Sequence, residues 1–292
     1  MGLLTSLEHF VRDNEPLAPH TWFRLGGSAE YYAEPTSVDE LAALMKRSHE
    51  AGLGVRVLGG GSNLLVREAG VRGVVVSLAA AAFSQISSKG NVISAGGGAK
   101  LGHVISTAVR EGLAGLEQLV GIPGTVGGAL HSNSGASGLD VGQWTATASV
   151  MNRNGDIVVH SREELQFSYR QSSLDDPVIL QADFALEEDD SAELTKRMQK
   201  AWIVKKATLP QGNVNAGCIF KDVGGISAAS LIEQAGLKTA AVGEAMVCPQ
   251  NSNFIVANTD ATSNQVIELI EVLRAGVAER LGVALETQIE IW

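Results

Sequence analysis

The chain has 292 residues, 45% of them hydrophobic, enough to fill the cores of two or three domains of ordinary size. Its formal net charge of −10 is spread without a basic block, which argues against a nucleic-acid groove or an anionic membrane surface, so any phosphate must be met locally. Met1 to Pro16 carries Glu8, Arg12, Asp13 and Glu15 where a secretion leader needs an apolar core, and no run of about 18 apolar residues occurs elsewhere. A cytoplasmic protein is expected, with Cys218 and Cys248 reduced, and no Cys/His spacing suggests a metal.

In chain order, Ser37 followed by Glu40 reads as a capping box for a helix over about Val38 to Ala51. Val55-Arg56-Val57-Leu58 reads as a strand and Val74 to Leu78 as another, a small βαβ-type unit whose following loop lies at a carboxyl strand end, where open α/β sheets place ligands. From Asn91 the pattern changes to short strands, Val92 to Ala95, Ala146 to Met151, Ile157 to His160 and Val178 to Leu186, around an amphipathic helix near Leu101 to Glu111. A third section has helices over about Ala192 to Lys206, Ser227 to Ala235 and Ser263 to Leu281, then a final strand, Val283 to Ile291. The class is α+β, divided at residues 1–80, 81–185 and 186–292, and the absence of repeats or long linkers implies close packing.

Two glycine-rich stretches each follow an apolar run: Gly59-Gly60-Gly61-Ser62-Asn63-Leu64 and Gly121-Ile122-Pro123-Gly124-Thr125-Val126-Gly127-Gly128-Ala129. Residues without a Cβ let backbone N–H groups close on an anionic ligand, so the two loops can share one pyrophosphate, with Ser62, Asn63 and Thr125 as further short-range donors. Taken singly, either loop reads first as a structural turn, and neither follows the common nucleotide fingerprints.

Three more segments follow in order: Phe167-Ser168-Tyr169-Arg170-Gln171-Ser172, Ala216-Gly217-Cys218-Ile219-Phe220-Lys221, and Leu285-Glu286-Thr287-Gln288-Ile289. With His20-Thr21-Trp22-Phe23-Arg24-Leu25-Gly26-Gly27 and the two loops, the set resembles the UDP-N-acetylenolpyruvoylglucosamine reductases, the MurB flavoenzymes of peptidoglycan synthesis, over nearly the whole chain. The resemblance implies the flavin fold of the vanillyl-alcohol-oxidase type, with non-covalent FAD between the first two domains and substrate on the third. It also implies NADPH as hydride source, a UDP-sugar substrate and a monomer, and the length matches the family's shorter class.

The family's arginine, proton-donating serine and glutamate map onto Arg170, Cys218 and Gln288. A forked, permanently charged guanidinium suits the substrate carboxylate and the charge that develops beside it. A free thiol titrates near ~8.5 and is a better acid than a hydroxyl, so cysteine is competent in serine's place. An amide at 288 donates a hydrogen bond but cannot give up a proton. The bland readings are a surface arginine at a loop and a small buried hydrophobe, and Cys248 is read as structural. Tyr169 packs at the site or touches substrate. Asp222 stands where the family has asparagine near the UDP diphosphate, with Lys221 beside it to offset the charge, and Asn251-Ser252-Asn253-Phe254 replaces His-Ala-Asn-Phe. These departures leave open a same-fold flavin oxidoreductase with another substrate, or a flavin-binding paralogue without catalysis.

Overall fold

The computed structural model describes residues 7–136, 138–210 and 215–292, so the expectation for Met1 to Pro16 falls partly outside them. The described chain forms two compact units. One takes in residues 7–14 with Glu30–Gly60 and Arg72–Lys206; the other takes in Glu15–Ala29, Gly61–Val71 and the described residues of Ala207–Trp292.

In the first unit, helix α1 (Val38–Glu50) buries Leu41, Leu44, Met45 and Ser48, the i, i+3, i+4, i+7 stripe of an amphipathic helix. Ser37 Oγ accepts from Glu40 N at 3.2 Å, as the sequence leads one to expect. The return half of the box lands one residue early, because Glu40 accepts from Thr36 N at 2.6 Å and Thr36 Oγ at 2.9 Å. Beside α1 lies a four-stranded sheet in the order Val11–Pro16, Ser28–Ala33, Val71–Ser77, Val55–Leu58. Val55–Leu58 and Val71–Ser77 are parallel, with Val55 opposite Val74. In the chain α1 stands between Ser28–Ala33 and Val55–Leu58 as a strand–helix–strand run, and the link from Val55–Leu58 to Val71–Ser77 carries only the short strand Leu64–Leu65. The glycines still leave the carboxyl end of Val55–Leu58.

A five-stranded antiparallel sheet, ordered Ile157–Ser161, Thr145–Met151, Val178–Ala185, Val92–Gly96, Ile86–Lys89, completes the first unit. Helix α2 (Leu101–Arg110) covers it with Leu101, Val104, Ile105 and Ala108, joined in the same core by Val126, Ala129 and Leu130 of helix α3 (Val126–His131), while Val109 packs with Ala114 and Leu194. Helix α4 (Ser191–Thr208) buries only Leu194 and runs with this unit as far as Lys206.

The second unit is a four-stranded antiparallel sheet, ordered Asn215–Cys218, Phe254–Ala257, Ala245–Val247, Ala241–Val242, packed with helices α5 (Ala228–Gln234) and α6 (Ser263–Leu281). The expected final strand shrinks to Glu290–Ile291. Leu285 and Ile289 are buried at 3% and 5% exposure, so the alternation in sequence reports burial, but a regular ladder partner is missing over most of the span. No helix among the described residues is long and apolar enough to cross a membrane.

Candidate active site

Within the first unit the two glycine loops meet backbone to backbone. A Cβ on Gly59 would lie 2.7 Å from Thr125 Oγ1, and one on Gly60 would lie 2.8 Å from Gly124 Cα. Even alanine at 60 would force one loop off the other. The N–H groups of Gly59, Gly60, Gly124 and Thr125 donate to no acceptor among the described residues, so this junction offers several backbone donors to an anion. Gly121 and Gly124 supply positive φ values of 81° and 105° around Pro123. Farther along, the donors are already used: Val126 N bonds Ala99 O, Gly127 N bonds Gly97 O at 2.8 Å, Gly128 N bonds Thr125 Oγ1 and Ala129 N bonds Thr125 O. Gly127 and Gly128 thus build the turn into α3, while its entrance carries the open donors.

The first loop continues into the second unit. Gly61, at φ +63°, would place a Cβ 2.1 Å from His20 O, and its own carbonyl accepts from Trp22 N at 2.9 Å. The N–H groups of Ser62 and Asn63 have no acceptor among the described residues. Leu64 is buried and pairs in parallel with Glu290.

Arg170 sits with Tyr169 in the two-residue turn between Phe167–Ser168 and Gln171–Ser172. Its φ of 58° is left-handed, a conformation a side chain adopts at a cost of about 1–2 kcal/mol, so the surroundings must hold it. They do so through the last residue of α3 and the turn after it, since Asn133 Nδ2 donates to Ser168 O at 2.7 Å and Ser172 Oγ to His131 O at 3.0 Å. The guanidinium lies 5.4 Å from the ring centroid of Tyr169, which is 54% exposed, and Arg170 Nε is buried with no hydrogen-bond partner among the described residues. A buried donor of this kind calls for an acceptor such as a carboxylate.

In the second unit Cys218 ends the strand Asn215–Cys218, and the chain then runs antiparallel to the C-terminal segment. Lys221 N bonds Glu286 O and Gln288 N bonds Ile219 O, both at 2.8 Å, with Phe220 bridged to Thr287. This pairing brings together two side chains 70 positions apart: Gln288 Nε2 donates to Cys218 Sγ at 2.9 Å, both residues half-buried. Gly217 has no room for a Cβ, which would meet Phe23 Cε2 at 2.4 Å and Ile289 at 3.2 Å, so Phe23 fixes the approach of strand to C-terminus. Buried Asn253 clamps the same stretch, accepting from Phe220 N at 2.9 Å and donating to Phe220 O at 2.8 Å. Spacing alone does not single out Phe23 or Asn253, although both lie in the family-like segments.

Lys221 Nζ lies 3.5 Å from Glu286, and the exposed Asp222 accepts from Ala228 N at 2.9 Å, helping to start α5 beside the Ser227 cap. Asn251 Nδ2 reaches Thr208 O at 3.2 Å. Cys248 is 1% exposed and directs its thiol to Gln250 Oε1 at 3.0 Å, and neither cysteine is in a disulfide.

The first unit carries a backbone donor cradle at a strand-end loop and a forked cation, and the second carries a thiol and amide pair, the donor types of a flavin-type oxidoreductase. The model of the FAD binding domain matches residues 29–161. The solved 6-hydroxy-D-nicotine oxidase of Arthrobacter nicotinovorans matches 96% of this chain and 86% of its own with a TM-score of 0.61 at 13% identity, so the fold is that of the vanillyl-alcohol-oxidase type. The UDP-N-acetylenolpyruvoylglucosamine reductase C-terminal domain matches residues 209–292. The UDP-N-acetylenolpyruvoylglucosamine reductase of Rhodopirellula baltica is 39% identical over 98% of this chain and 94% of its own. The crystal structure of the MurB reductase from Thermus caldophilus is 34% identical, with a TM-score of 0.83 over 97% of this chain and all of that one. The chain belongs to the UDP-N-acetylenolpyruvoylglucosamine reductase family.

Proposed function

We propose that this protein is an FAD-dependent reductase that uses NADPH to convert UDP-N-acetylglucosamine enolpyruvate to UDP-N-acetylmuramate for peptidoglycan. It works in the cytoplasm as a monomer, with residues 1–80 and 81–185 serving the flavin and 186–292 the substrate. The observation that carries this reading is the Gln288 to Cys218 hydrogen bond, which sets a polar donor on a thiol at the two positions where the family has its carboxylate and hydroxyl acid.

The donor set fits FAD: open N–H groups at Gly59, Gly60, Gly124 and Thr125 suit a pyrophosphate, and no histidine or cysteine in either loop attaches the flavin. Held by these N–H groups, FAD would supply the hydride, drawn from NADPH, for a vinyl carbon of the enolpyruvyl group. Arg170 binds the substrate carboxylate and opposes the negative charge that develops there. Gln288 offers its amide N–H to the same charge and orients Cys218, whose S–H gives the proton. Tyr169, Lys221 and Asp222 contact the UDP-sugar.

The test is anaerobic and uses the purified holoprotein. NADPH should bleach the flavin spectrum, and UDP-N-acetylglucosamine enolpyruvate should restore it while gaining two hydrogens by mass. A flavin bleached by NADPH but left reduced by this substrate would mean a fold redirected to another acceptor. A protein that takes up no FAD would end the flavoenzyme reading.

A further inference from the structure

The side chain of Asn63 faces the C-terminal segment. Asn63 Nδ2 donates to Gln288 O at 2.8 Å, across 225 positions of sequence, and Asn63 O accepts from Glu290 N at 3.0 Å. The next residues, Leu64 and Leu65, pair in parallel with Glu290 and Ile291, are 5% and 0% exposed, and Leu65 O accepts from Trp292 N. Gln288 is thereby held from both sides of its peptide: Ile219 O takes its N–H at 2.8 Å, and Asn63 takes its carbonyl. Its amide then rests on Cys218 Sγ.

Resting on the function proposed above, we infer that Asn63 is a positioning residue for the proton-delivery pair, and that its side-chain amide does not bind the cofactor phosphate. Its N–H stays open to the loop's ligand while its side chain sets the place of Gln288. Gly60, whose N–H belongs to the donor cradle, lies three residues upstream in sequence, and the Gly61 carbonyl accepts from Trp22 N. The first glycine loop thus acts at two places, with its backbone toward the flavin and its last side chain toward the acid.

Asn63→Leu keeps the size of the side chain and removes the donor. The holoprotein variant should bind FAD within about threefold of the parent affinity and be bleached by NADPH at the parent rate. Its reoxidation by the enolpyruvyl substrate should slow by about 10- to 100-fold, the scale of losing alignment at the reacting groups. In a Gln288→Ala background the same change should add nothing to the loss. A readout independent of turnover is alkylation of Cys218 by iodoacetamide in the apoprotein, which should be faster by about threefold or more once Gln288 is loosened. Cys248 is buried and does not compete. Weakened FAD affinity, equal in both backgrounds, would make the side chain a phosphate ligand; unchanged reoxidation and alkylation would make it a spectator. Either result overturns the assignment. Should Asn63→Leu fail to fold, Asn63→Ala removes the donor without adding a charge and gives the same readings. If the parent holoprotein is not reoxidised by this substrate, the function fails, and alkylation still decides the role of Asn63.

Discussion

At the scale of single residues, the proposed chemistry rests on the hydrogen bond in which Gln288 donates to Cys218. The amide donates to sulfur, so one lone pair of Cys218 is occupied, and under the proposed function the thiol is the acid that Gln288 orients. Cys218→Ala should leave NADPH bleaching near the parent rate and slow substrate reduction by about 10²-fold or more, the usual loss for a positioned acid. Cys218→Ser should keep much of the activity, which stopped-flow reoxidation would show. Gln288→Glu reverses the hydrogen bond, because a carboxylate accepts from the thiol instead of donating to it. The variant should fold normally and reduce the enolpyruvyl substrate faster than the parent; a slower variant would mean that the donated N–H matters more than a shared proton.

At the scale of elements, α6 is tied to the loop that follows the first glycine stretch. Glu68 accepts from Ser263 Oγ at 2.6 Å, from Ser263 N and from Asn264 N, while Thr262 and Gln265 form a reciprocal capping box. Partial burial raises the Glu68 pKa, and the hydrogen bonds from Ser263 and Asn264 outweigh it, leaving the group below its ordinary 4.5. A carboxyl lowered in the folded state contributes stability above its unfolded value and loses it as the pH falls through the folded one. The melting-temperature gap between parent and Glu68→Ala should therefore be full at pH 7 and close as the pH drops below about 4. The glycine junction makes an element-scale prediction of its own. Gly60→Val should abolish FAD retention because its side chain meets the Gly124 backbone, and an absorbance spectrum of the purified variant checks it. Sequence periodicity was enough for α6, found at Ser263–Leu281 as expected, because its apolar stripe and its cap are both local. It failed for the span Val283 to Ile291, where alternation recorded which residues are buried but not that Ile219, Lys221 and Asn63 would take up the backbone groups.

At the scale of the whole molecule, a ligand bound by the folded state alone stabilises it by mass action. FAD added to the apoprotein at 100 times its dissociation constant should contribute about 2.7 kcal/mol, measurable as a rise in melting temperature. What the sequence determined by itself was whatever depends on neighbours in the chain: helix stripes and caps, strand runs ending in glycine, and ordered short segments that place the chain in its family. Through the family resemblance it also proposed Arg170, Cys218 and Gln288 as a set, because residue type and motif order are read without coordinates. Tertiary structure decided which hydrogen-bond donors remain open. Gly127 and Gly128 look equivalent to Gly59 and Gly60 in sequence, yet their N–H groups are used inside the turn, and the side chain of Asn63 points at Gln288 across 225 positions. A hydrogen bond between residues so far apart leaves no periodic trace, since its geometry exists only after both segments have packed.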